Sequence, residues 1–368
     1  MDFKPTEEQA AARGLAARIF GDLATHERLS AAGTGGDAEL WKALCAAGLP
    51  AAVVRTGLLG LVLLLEEQGR TTAQVPFAAT CAYGLLPVAA HGSPGQRERL
   101  LPSLADGTVV VCGAVRPPSP VRAAGGGRLT GVVPVVPWLR DATHALVADD
   151  RRRLWLVRTA DARCEPVELT APWSAGRLTL DGTPGERLGA DADADADPDA
   201  DPDADAGAAF PDRDAGRVHA DVLATARTAF AGLQAGVCAG SLARAVEHTN
   251  TREQFGRPLA THQAVQLRAA DAYMDTEAIR VTAYEAAWRR DEGLPYATHA
   301  LTAAWWASEA GRRVVHTGQH LHGGTGADLE HPVHRHFLWG RQLDAYLGCG
   351  DEVLQELGEL LVRGEGGT

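Results

Sequence analysis

The sequence lacks the features that define secreted and membrane-spanning proteins. Its 6 cysteines include no C-x-x-C pair, which is typical of reduced thiols in a cytosol and not of a disulfide framework. The apolar run Leu58–Leu65 is too short to cross a bilayer. The polar start shows no signal peptide. We therefore expect a soluble, cytoplasmic protein without a membrane span.

Positive charge is also scarce. The formal net charge is −12, which argues against a nucleic-acid partner. Eight aspartates alternate with Ala or Pro over residues 190–207, and without them the net charge is about −4. This low-complexity tract predicts a mobile loop, because it cannot bury apolar area. It also lacks the glycine and the closing glutamate of an EF-hand loop, so no metal is expected there.

The residues that are present predict several lobes, the first of them helical. A chain of 368 residues with 45% hydrophobic and 22% charged residues is typical of a globular protein with two or three lobes. Residues 1–107 are predicted to be helical. Capping signals are found at Thr6 followed by Gln9, and at Ser93 followed by Gln96.

The sequence pattern changes after this lobe and predicts β-strands. Residues 108–189 carry short β-branched or alternating runs separated by Gly, Pro and Asp, which predict a small β-barrel or sandwich. The predicted strands are Val109–Val115, Arg128–Val136, His144–Val147, Leu154–Arg158 and Leu178–Leu180. An acidic loop region, 190–219, then leads to a C-terminal helical bundle over residues 220–368.

The first long helix of the bundle, over 222–250, contains a glycine at every fourth position: Gly232, Gly236 and Gly240. Each glycine costs about 1 kcal/mol relative to alanine inside a helix. The spacing gives a smooth ridge on one face, which predicts that another helix packs closely there. At the other end of the bundle, Asp351 is predicted to cap the last helix.

The turn Thr251–Gln263 separates two long helical patterns and carries candidate binding residues. It offers the Arg252 guanidinium, the Phe255 ring, and backbone amides freed by Gly256 and a following proline. An arginine beside helix N-terminal amides can hold a phosphate or a pyrophosphate. Taken alone, this turn is more typical of an ordinary helix–helix corner with a surface arginine.

A second motif lies further along the chain and changes that interpretation. Residues 319–337 include His-Gly-Gly-x-Gly over 322–326 and Glu-His-Pro-Val over 330–333. Together with Arg-x-x-Phe-Gly over 252–256, this block resembles the C-terminal domain of the acyl-CoA dehydrogenase family of flavoproteins. The resemblance is motif-specific over about 225–365, and follows the pattern only over 1–185.

The resemblance implies an α+β fold with a helical N-terminal domain, a middle β-barrel or sandwich, and a C-terminal four-helix bundle. It also implies that FAD is the cofactor and that its ADP half is held across a subunit interface. The residues that the resemblance assigns to cofactor binding are Arg252, Phe255, Gly256, Leu259, Gln263, His320, Gly323 and Gly324.

The residues that do the chemistry in this family are replaced. Family members abstract a proton next to the thioester carbonyl with a glutamate and send a hydride to the flavin. The two usual positions of that glutamate correspond to Leu347 and Ala226. Neither side chain can accept a proton, so no catalytic residue is assigned. A rescue by Asp344, expected at the surface, or by the predicted cap Asp351 is not favoured.

The flavin-ring contacts are altered as well. The family's Thr-Glu-Pro phrase is replaced by Ala114–Pro117, and Val135–Leu139 lacks the expected Trp-x-Thr or Trp-x-Ser. The chain therefore resembles the glutamate-lacking subunit of heteromeric α2β2 actinobacterial acyl-CoA dehydrogenases. Its implied partner is a glutamate-bearing subunit, and its implied substrate is an acyl-CoA such as a steroid side-chain thioester.

Two other hypotheses remain open from the residues. One is a homomeric enzyme of specialised metabolism with this fold, non-standard chemistry and a histidine base. Its candidates are His316, His320, His322, His331, His334 and His336. We expect these histidines instead to line a loop and bond backbone carbonyls, and the spacing does not favour a zinc site. The other hypothesis is a structural pseudoenzyme that binds no flavin.

Overall fold

The computed structural model describes residues 3–189 and 212–364. The loop predicted over 190–207 lies outside the described residues. The N-terminal helices are α1 Glu7–Leu23, α2 His26–Ala32, α3 Ala38–Ala46, α4 Leu49–Thr71, α5 Phe77–Ala79, α6 Leu86–His91 and α7 Pro94–Ala105, with a π-helical turn Thr80–Leu85 between α5 and α6. Both predicted capping boxes are confirmed, at Thr6 with Gln9 and at Ser93 with Gln96.

The kink in α4 ties the N-terminal domain to the C-terminal bundle. Gly57 interrupts the helix with φ 71° and ψ −164°, a conformation that glycine adopts at little cost. The Asp291 carboxylate then accepts the backbone N–H groups of Leu58 and Leu59 at 2.8 and 2.9 Å. A side chain from the end of a distant helix thus caps the second half of α4, as an N-cap residue does.

A mixed sheet follows. Its strands are β1 Val111–Ala114, β2 Arg122–Ala124, β3 Arg128–Val136, β4 His144–Ala148, β5 Leu154–Arg158, β6 Arg163–Pro166 and β7 Gly176–Arg187. They are ordered β1-β4-β5-β7-β3-β2, with β6 on β7. β1 pairs with β4 in parallel and the other pairs are antiparallel. Short, largely exposed β2 and β6 were not predicted, because they lack apolar alternation.

The C-terminal helices are α8 Asp212–Thr251, α9 Gln263–Asp291, α10 Ala297–His322, α11 Pro332–Tyr346 and α12 Gly350–Val362. The predicted order of a helical domain, a β domain and a helical bundle is therefore confirmed. The assignment of Asp351 as a cap is wrong. Cys349 is the N-cap of α12 and forms a capping box with Glu352, because the helix begins directly after the turn at Gly348, where φ is 118°.

The glycine ridge on α8 packs against α4, as predicted. A Cβ added at Gly232 would lie 3.2 Å from the Val62 Cα, and one at Gly236 would lie 2.8 Å from the Glu66 Cα. At Gly240 the same atom would meet the carbonyl oxygen of Arg70. The two helices therefore approach backbone to backbone, and this contact joins the two helical domains.

Gly236→Ala tests this contact. The added methyl group meets the backbone of α4 and not a flexible side chain, so we expect the free energy of unfolding to fall by about 1–3 kcal/mol. Gly216→Ala is the matched control, because it lies on the same helix with nothing within 4 Å. There the better helix propensity should raise stability by up to about 1 kcal/mol. Urea denaturation measures both changes, and equal effects would contradict the packing argument.

Two long helices are apolar enough to cross a membrane by length and composition, Leu49–Thr71 and Ala215–Thr251. In each of them, 78% of the most apolar window is buried inside the fold. They pack on each other through the glycine ridge. Their hydrophobicity is thus explained by their place in the core, as in many globular proteins.

Candidate functional site

The Arg-x-x-Phe-Gly motif forms a small β-hairpin. β8 Glu253–Gln254 pairs with β9 Arg257–Pro258, and the two residues between them have positive φ, 55° at Phe255 and 77° at Gly256. Positive φ at both central residues is the requirement of a type I′ turn. It suits glycine, but it is strained for an aromatic residue. The Phe255 side chain is 92% exposed, and its ring has one edge-on contact among the described residues, with His262 at 6.0 Å between centroids.

The hairpin is anchored at both ends by backbone hydrogen bonds. The Arg252 N–H donates to the His248 carbonyl at 2.8 Å, and the Leu259 N–H donates to the Arg252 carbonyl at 2.9 Å. Leu259 is half-buried and starts a 3-10 turn, and Gln263 is the exposed first residue of α9. Arg252 is exposed as well. The motif therefore presents polar and aromatic groups at a helix start.

The Gly-Gly loop forms a surface without side chains. Gly323 ends α10 with φ 61°, and a Cβ at Gly323 or Gly324 would find nothing within 4 Å. Gly326 differs, because a Cβ there would collide with the Gln319 carbonyl group. His320 is exposed one turn earlier. Gly323 and Gly324 are thus open to a ligand, whereas Gly326 serves packing.

Stacked histidines bring the two motifs together. His248, one turn before the hairpin, stacks on His322, directly before Gly323, with ring centroids 4.6 Å apart and 26° between the planes. His322 also contacts His331, with centroids 5.0 Å apart. The hairpin and the Gly-Gly loop therefore lie at the same end of the bundle, where α8 and α10 both end.

The two positions where the family carries its base are also neighbours. Leu347 is 8% exposed and Ala226 is fully buried. The Arg227 Nε donates to the Leu347 carbonyl at 3.3 Å, which joins the two positions. The Arg227 guanidinium also binds both carboxylate oxygens of Glu356, at 2.8 and 2.6 Å. The Glu356 carboxylate beside these positions is therefore already paired with the positive charge of Arg227.

Asp344 is not the surface residue that was expected. Its side chain is 14% exposed and pairs with Arg341 at 3.3 Å. It also accepts a hydrogen bond from the Ser308 hydroxyl at 2.7 Å. It lies on the face of α11 that packs on α10, and this packing buries it. Its carboxylate oxygens are therefore already engaged by Ser308 and Arg341 within this chain.

Aromatic rings fill the interior beside Leu347. The Tyr346 ring lies 4.7 Å from Phe230 and 6.0 Å from Trp173 between centroids. Its hydroxyl is 3.0 Å from that of Tyr83. This region is where α8, α11, the sheet and the N-terminal helices meet. Large side chains of this chain therefore occupy the space next to the former base position.

Three tryptophans extend this packing. Trp138 stacks on Trp173 at 5.5 Å, and Trp339 contacts Trp173 edge-on at 5.3 Å. All three are almost completely buried. Trp138 stands where the family's flavin-ring phrase was sought, yet its ring packs into this cluster. We call the six residues Tyr83, Trp138, Trp173, Phe230, Trp339 and Tyr346 the aromatic cluster.

Next to the aromatic cluster, a cleft of about 630 Å³ opens between the sheet, α8 and α12. Its walls are charged, and ion pairs cross it from Arg116 to Glu352 at 2.5 Å and from Arg227 to Glu356. His219 Nε2 lies 2.7 Å from the Val115 carbonyl. Paired charges of this kind suit a closed wall better than a pocket for an acyl chain.

The Glu356 ion pair predicts a pH dependence. Burial alone raises the pKa of Glu356, but the hydrogen bonds and charge of Arg227 lower that pKa overall. Its contribution to stability is therefore present above the unfolded pKa of about 4.3, and is lost as pH falls through the lower folded pKa. Because the side chain is 47% exposed, we expect less than about 1 kcal/mol. Glu356→Gln should flatten the plot of the free energy of unfolding against pH between pH 6 and pH 3, and an unchanged plot would contradict the role of this ion pair.

The C-terminal histidines mostly serve structure. His322 Nδ1 lies 2.7 Å from the Gly318 carbonyl, and His336 Nε2 lies 3.0 Å from that of Arg70. Burial lowers the pKa of His336 to about 4. His331 Nδ1 accepts the Val333 N–H at the start of α11. Within residues 3–189 and 212–364, no group of three or more His, Cys, Asp or Glu side chains is arranged to hold a metal.

Sequence reasoning missed the aromatic cluster and the pairing of Arg227 with Glu356. The tryptophans are spread over residues 138–339, so no local pattern joins them. Only the strained positive φ of Trp138, 66°, marks one of them, and that feature is visible only in the structure. Arg227 follows Ala226 directly in the sequence, but its carboxylate partner Glu356 lies on another helix.

A helical domain, a mixed sheet and a helical bundle, with an exposed hairpin beside a Gly-Gly loop, define an acyl-CoA dehydrogenase-type fold. Residues 6–108 match the family model of the acyl-CoA dehydrogenase N-terminal domain, and residues 216–358 match that of the C-terminal domain. The chain belongs to the acyl-CoA dehydrogenase family.

Its relatives include heteromeric members. Acyl-CoA dehydrogenase FadE27 of Mycobacterium tuberculosis is 32% identical over 393 residues, covering 99% of each chain. A glycine-to-alanine variant of the Tcur3481-Tcur3483 steroid ACAD has a TM-score of 0.84 at 38% identity, covering 98% of this chain and 99% of that one. The ChsE4-ChsE5 complex from Mycobacterium tuberculosis has a TM-score of 0.86 at 30% identity, with the same coverage.

Proposed function

We propose that this chain is the non-catalytic subunit of a heteromeric, FAD-dependent acyl-CoA dehydrogenase. In this role it completes the FAD site of a glutamate-bearing partner. The observation that carries the proposal is a contrast between two places in the same chain. At the two positions where the family carries its base, this chain has the apolar side chains of Leu347 and Ala226, and the interior beside them is filled. The hairpin and the Gly-Gly loop, in contrast, are exposed at the surface and accessible to a ligand.

The chain's own ring site does not fit a flavin. The aromatic cluster occupies the interior beside Leu347, and the neighbouring cleft is crossed by ion pairs. A flavin ring needs hydrogen-bond partners along its polar edge, and Ala114–Pro117 replaces the phrase that supplies them in the family. We therefore assign no chemical step to this chain's own cleft.

The surface at the other end of the bundle does fit the ADP half of FAD. Arg252 offers a guanidinium to a diphosphate, and Phe255 offers an exposed ring face. Gln263 and His320 offer exposed side-chain hydrogen-bonding groups. Gly323 and Gly324 allow the backbone to approach closely, because no side chain intervenes. Leu259 and Gly256 set the shape of the turn.

The residues of the hairpin and the Gly-Gly loop have the role of binding and orienting the FAD. Bound FAD would supply the acceptor for the hydride from the β carbon of the acyl-CoA, and the partner's glutamate would take the α proton. Arg252 and the Gly-Gly loop hold the nucleotide end. Because Leu347 stands where the family has its glutamate, this chain adds no second carboxylate to the reaction. The pair of chains then contains one complete site, which predicts one FAD for each heterodimer within an α2β2 assembly.

A bulky acyl-CoA is the substrate class that the relatives support. The structure with 38% identity is described as a steroid ACAD, and a second relative is a two-component complex. We therefore propose α,β-desaturation of a steroid side-chain-like thioester during β-oxidation in the cytoplasm. The net charge of −12 gives no reason to invoke nucleic acid.

Visible absorbance tests the proposal. The full chain is purified alone and after co-expression with a glutamate-bearing homologue, and the flavin bands are measured together with the mass of each species. We expect a colourless chain alone and a yellow complex with one FAD for every two chains. A yellow, active protein without a partner would support a homomeric enzyme, and colourless preparations throughout would support a flavin-free pseudoenzyme. Either outcome overturns the proposal.

A further inference from the structure

The histidine stack lies between the two motifs that the proposed function uses. His248 belongs to the last turn of α8 and His322 is the last residue of α10. Their rings are nearly parallel at 4.6 Å. Arg252 follows His248 by one turn, and the open Gly323 follows His322 directly. A ligand that touches both motifs therefore passes His248, which is half-buried, whereas His322 is 5% exposed.

Hydrogen bonding leaves nitrogens free in this pair. In the part of the chain that the structure describes, the His248 ring has no hydrogen-bond partner. His322 Nδ1 donates to the Gly318 carbonyl, so its Nε2 keeps a lone pair. His331 is different, because its Nδ1 accepts the Val333 N–H and is thereby held in the neutral form. Among these three rings, His248 is the one whose two nitrogens both lack a hydrogen-bond partner in the described residues.

The charges around the pair are mostly positive. The charged groups that face His248 are His322 and Arg252, and burial together with these two groups lowers its pKa. His331 faces His322, Arg244, His248 and one carboxylate, Asp328. Arg244 itself has only Glu247 as a nearby acid. Two arginines, Arg244 and Arg252, thus lie near these histidines in a chain whose net charge is −12.

The helix ends impose a further condition. α8 and α10 both end here, and the C-terminal ends of helices carry partial negative charge. These ends repel an anion but stabilise a protonated imidazole. An anion is therefore bound best here when a proton arrives with it, because the imidazolium then offsets the carbonyl ends and donates a hydrogen bond to the ligand.

We propose that His248, stacked on His322, forms a proton-linked binding site for a diphosphate group. This inference rests on the proposed function, in which the ligand is the diphosphate of the partner's FAD. The site takes up one proton as the dinucleotide binds and releases it as the dinucleotide leaves. Binding is consequently tighter at acidic pH and weakens as the pH rises. Binding by Arg252 alone would not give this pH dependence.

The dissociation constant of FAD from the co-purified complex tests this inference. It is measured by flavin fluorescence from pH 6 to pH 8, and proton uptake is measured by calorimetry in two buffers of different ionisation enthalpy. One linked proton weakens binding by up to about tenfold for each pH unit. We expect uptake of close to one proton, and a dissociation constant at pH 8 at least tenfold above that at pH 6.

Three variants test whether the pH dependence of FAD binding comes from protonation of His248. His248→Gln should bind FAD with little dependence on pH, and His248→Lys should bind tightly with equally little dependence. His299→Gln is the control, because His299 lies near the other end of α10, about 35 Å away at 1.5 Å per residue. It should keep the native slope. A native slope in both His248 variants would overturn the inference.

A second ligand makes failure of this inference distinguishable from failure of the proposed function. Dimethyl diphosphate, a diester whose charge is constant in this pH range, is titrated into the full chain alone. Proton-linked binding that is lost in His248→Gln supports the site even if no complex forms. FAD binding by the complex without proton uptake overturns the site alone. Coenzyme A also carries a diphosphate, and linkage seen with coenzyme A but not with FAD would overturn the assignment of the ligand.

Discussion

Replacing Arg252 by alanine is expected to lower the affinity of the assembled complex for FAD by about 100-fold, which corresponds to about 2.7 kcal/mol. Arg252 is exposed at the base of the hairpin, and its guanidinium forms no hydrogen bond or ion pair to a side chain among the described residues. The guanidinium is therefore available to a ligand outside this chain. Loss of one charged partner of a phosphate typically costs 2–5 kcal/mol. Equilibrium dialysis of the co-purified complex measures the change.

Arg257→Ala is the matched control. Arg257 lies on the opposite strand of the same hairpin, and its guanidinium is 3.2 Å from His262 Nδ1 within this chain. We expect it to change FAD affinity less than about fivefold, because rim charges contribute little to the stability of a complex. If both arginine variants bind FAD as the native complex does, the hairpin is not part of the cofactor site.

Trp339→Ala is expected to lower the free energy of unfolding by about 3 kcal/mol. Trp339 is completely buried and contacts Trp138 and Trp173 at 6.3 and 5.3 Å between ring centroids. Truncation of a buried tryptophan costs about 3–5 kcal/mol. We expect the lower end of this range, because the indole N–H is buried without a hydrogen-bond partner among the described residues. The variant removes that unfavourable burial as well.

Two further variants sharpen this result. Trp339→Phe keeps an aromatic ring and removes the unpaired N–H, so it should cost clearly less than the alanine variant. Trp305→Ala is the control, because Trp305 is half-buried and contacts Trp306 outside the aromatic cluster. Its cost should stay near 1 kcal/mol. Equal losses at both tryptophans, measured by urea denaturation, would show that the cluster is not a tightly packed core.

Local signals in the sequence predicted the fold well. Capping boxes at Thr6 and Ser93 need only residues three apart, and the structure contains both. The glycine ridge at Gly232 and Gly236 predicted a close helix contact, although its partner α4 was not identified. Asp351 was mistaken for a cap, because a cysteine is an unusual N-cap and an aspartate two residues later fits the usual pattern.

The candidate site depended more on tertiary structure. The motif residues could be named, but the adjacency of the hairpin and the Gly-Gly loop follows from the contact of His248 with His322. Periodicity cannot reveal such a contact. The burial of Asp344 and the assembly of the aromatic cluster arise in the same way, from side chains distant in sequence. These packing relations decide which cleft is closed and which surface stays open.

The division of labour in this chain has a physical basis. In the proposed function, a nucleotide-binding surface serves without a chemical site in the same chain, because Ala226 and His248 lie about 33 Å apart along α8 at 1.5 Å per residue. Ala226 and Arg227 lie in the first half of α8, where Arg227 binds Glu356 of α12, whereas His248 is in the last turn of α8. Filling one end with tryptophans therefore leaves the other end unchanged. We infer that this chain retained the surface that its partner requires.

The most direct test removes the base from the partner. In the co-purified complex, the partner's active-site glutamate is replaced by glutamine, and oxidation of an acyl-CoA is followed with a dye acceptor while FAD content is monitored. With FAD retained, we expect turnover to fall by about 10²–10⁴-fold, the usual contribution of a general base, because Leu347 and Ala226 cannot substitute. Turnover that persists at the native rate would show that this chain supplies a base of its own and would contradict its assignment as the non-catalytic subunit.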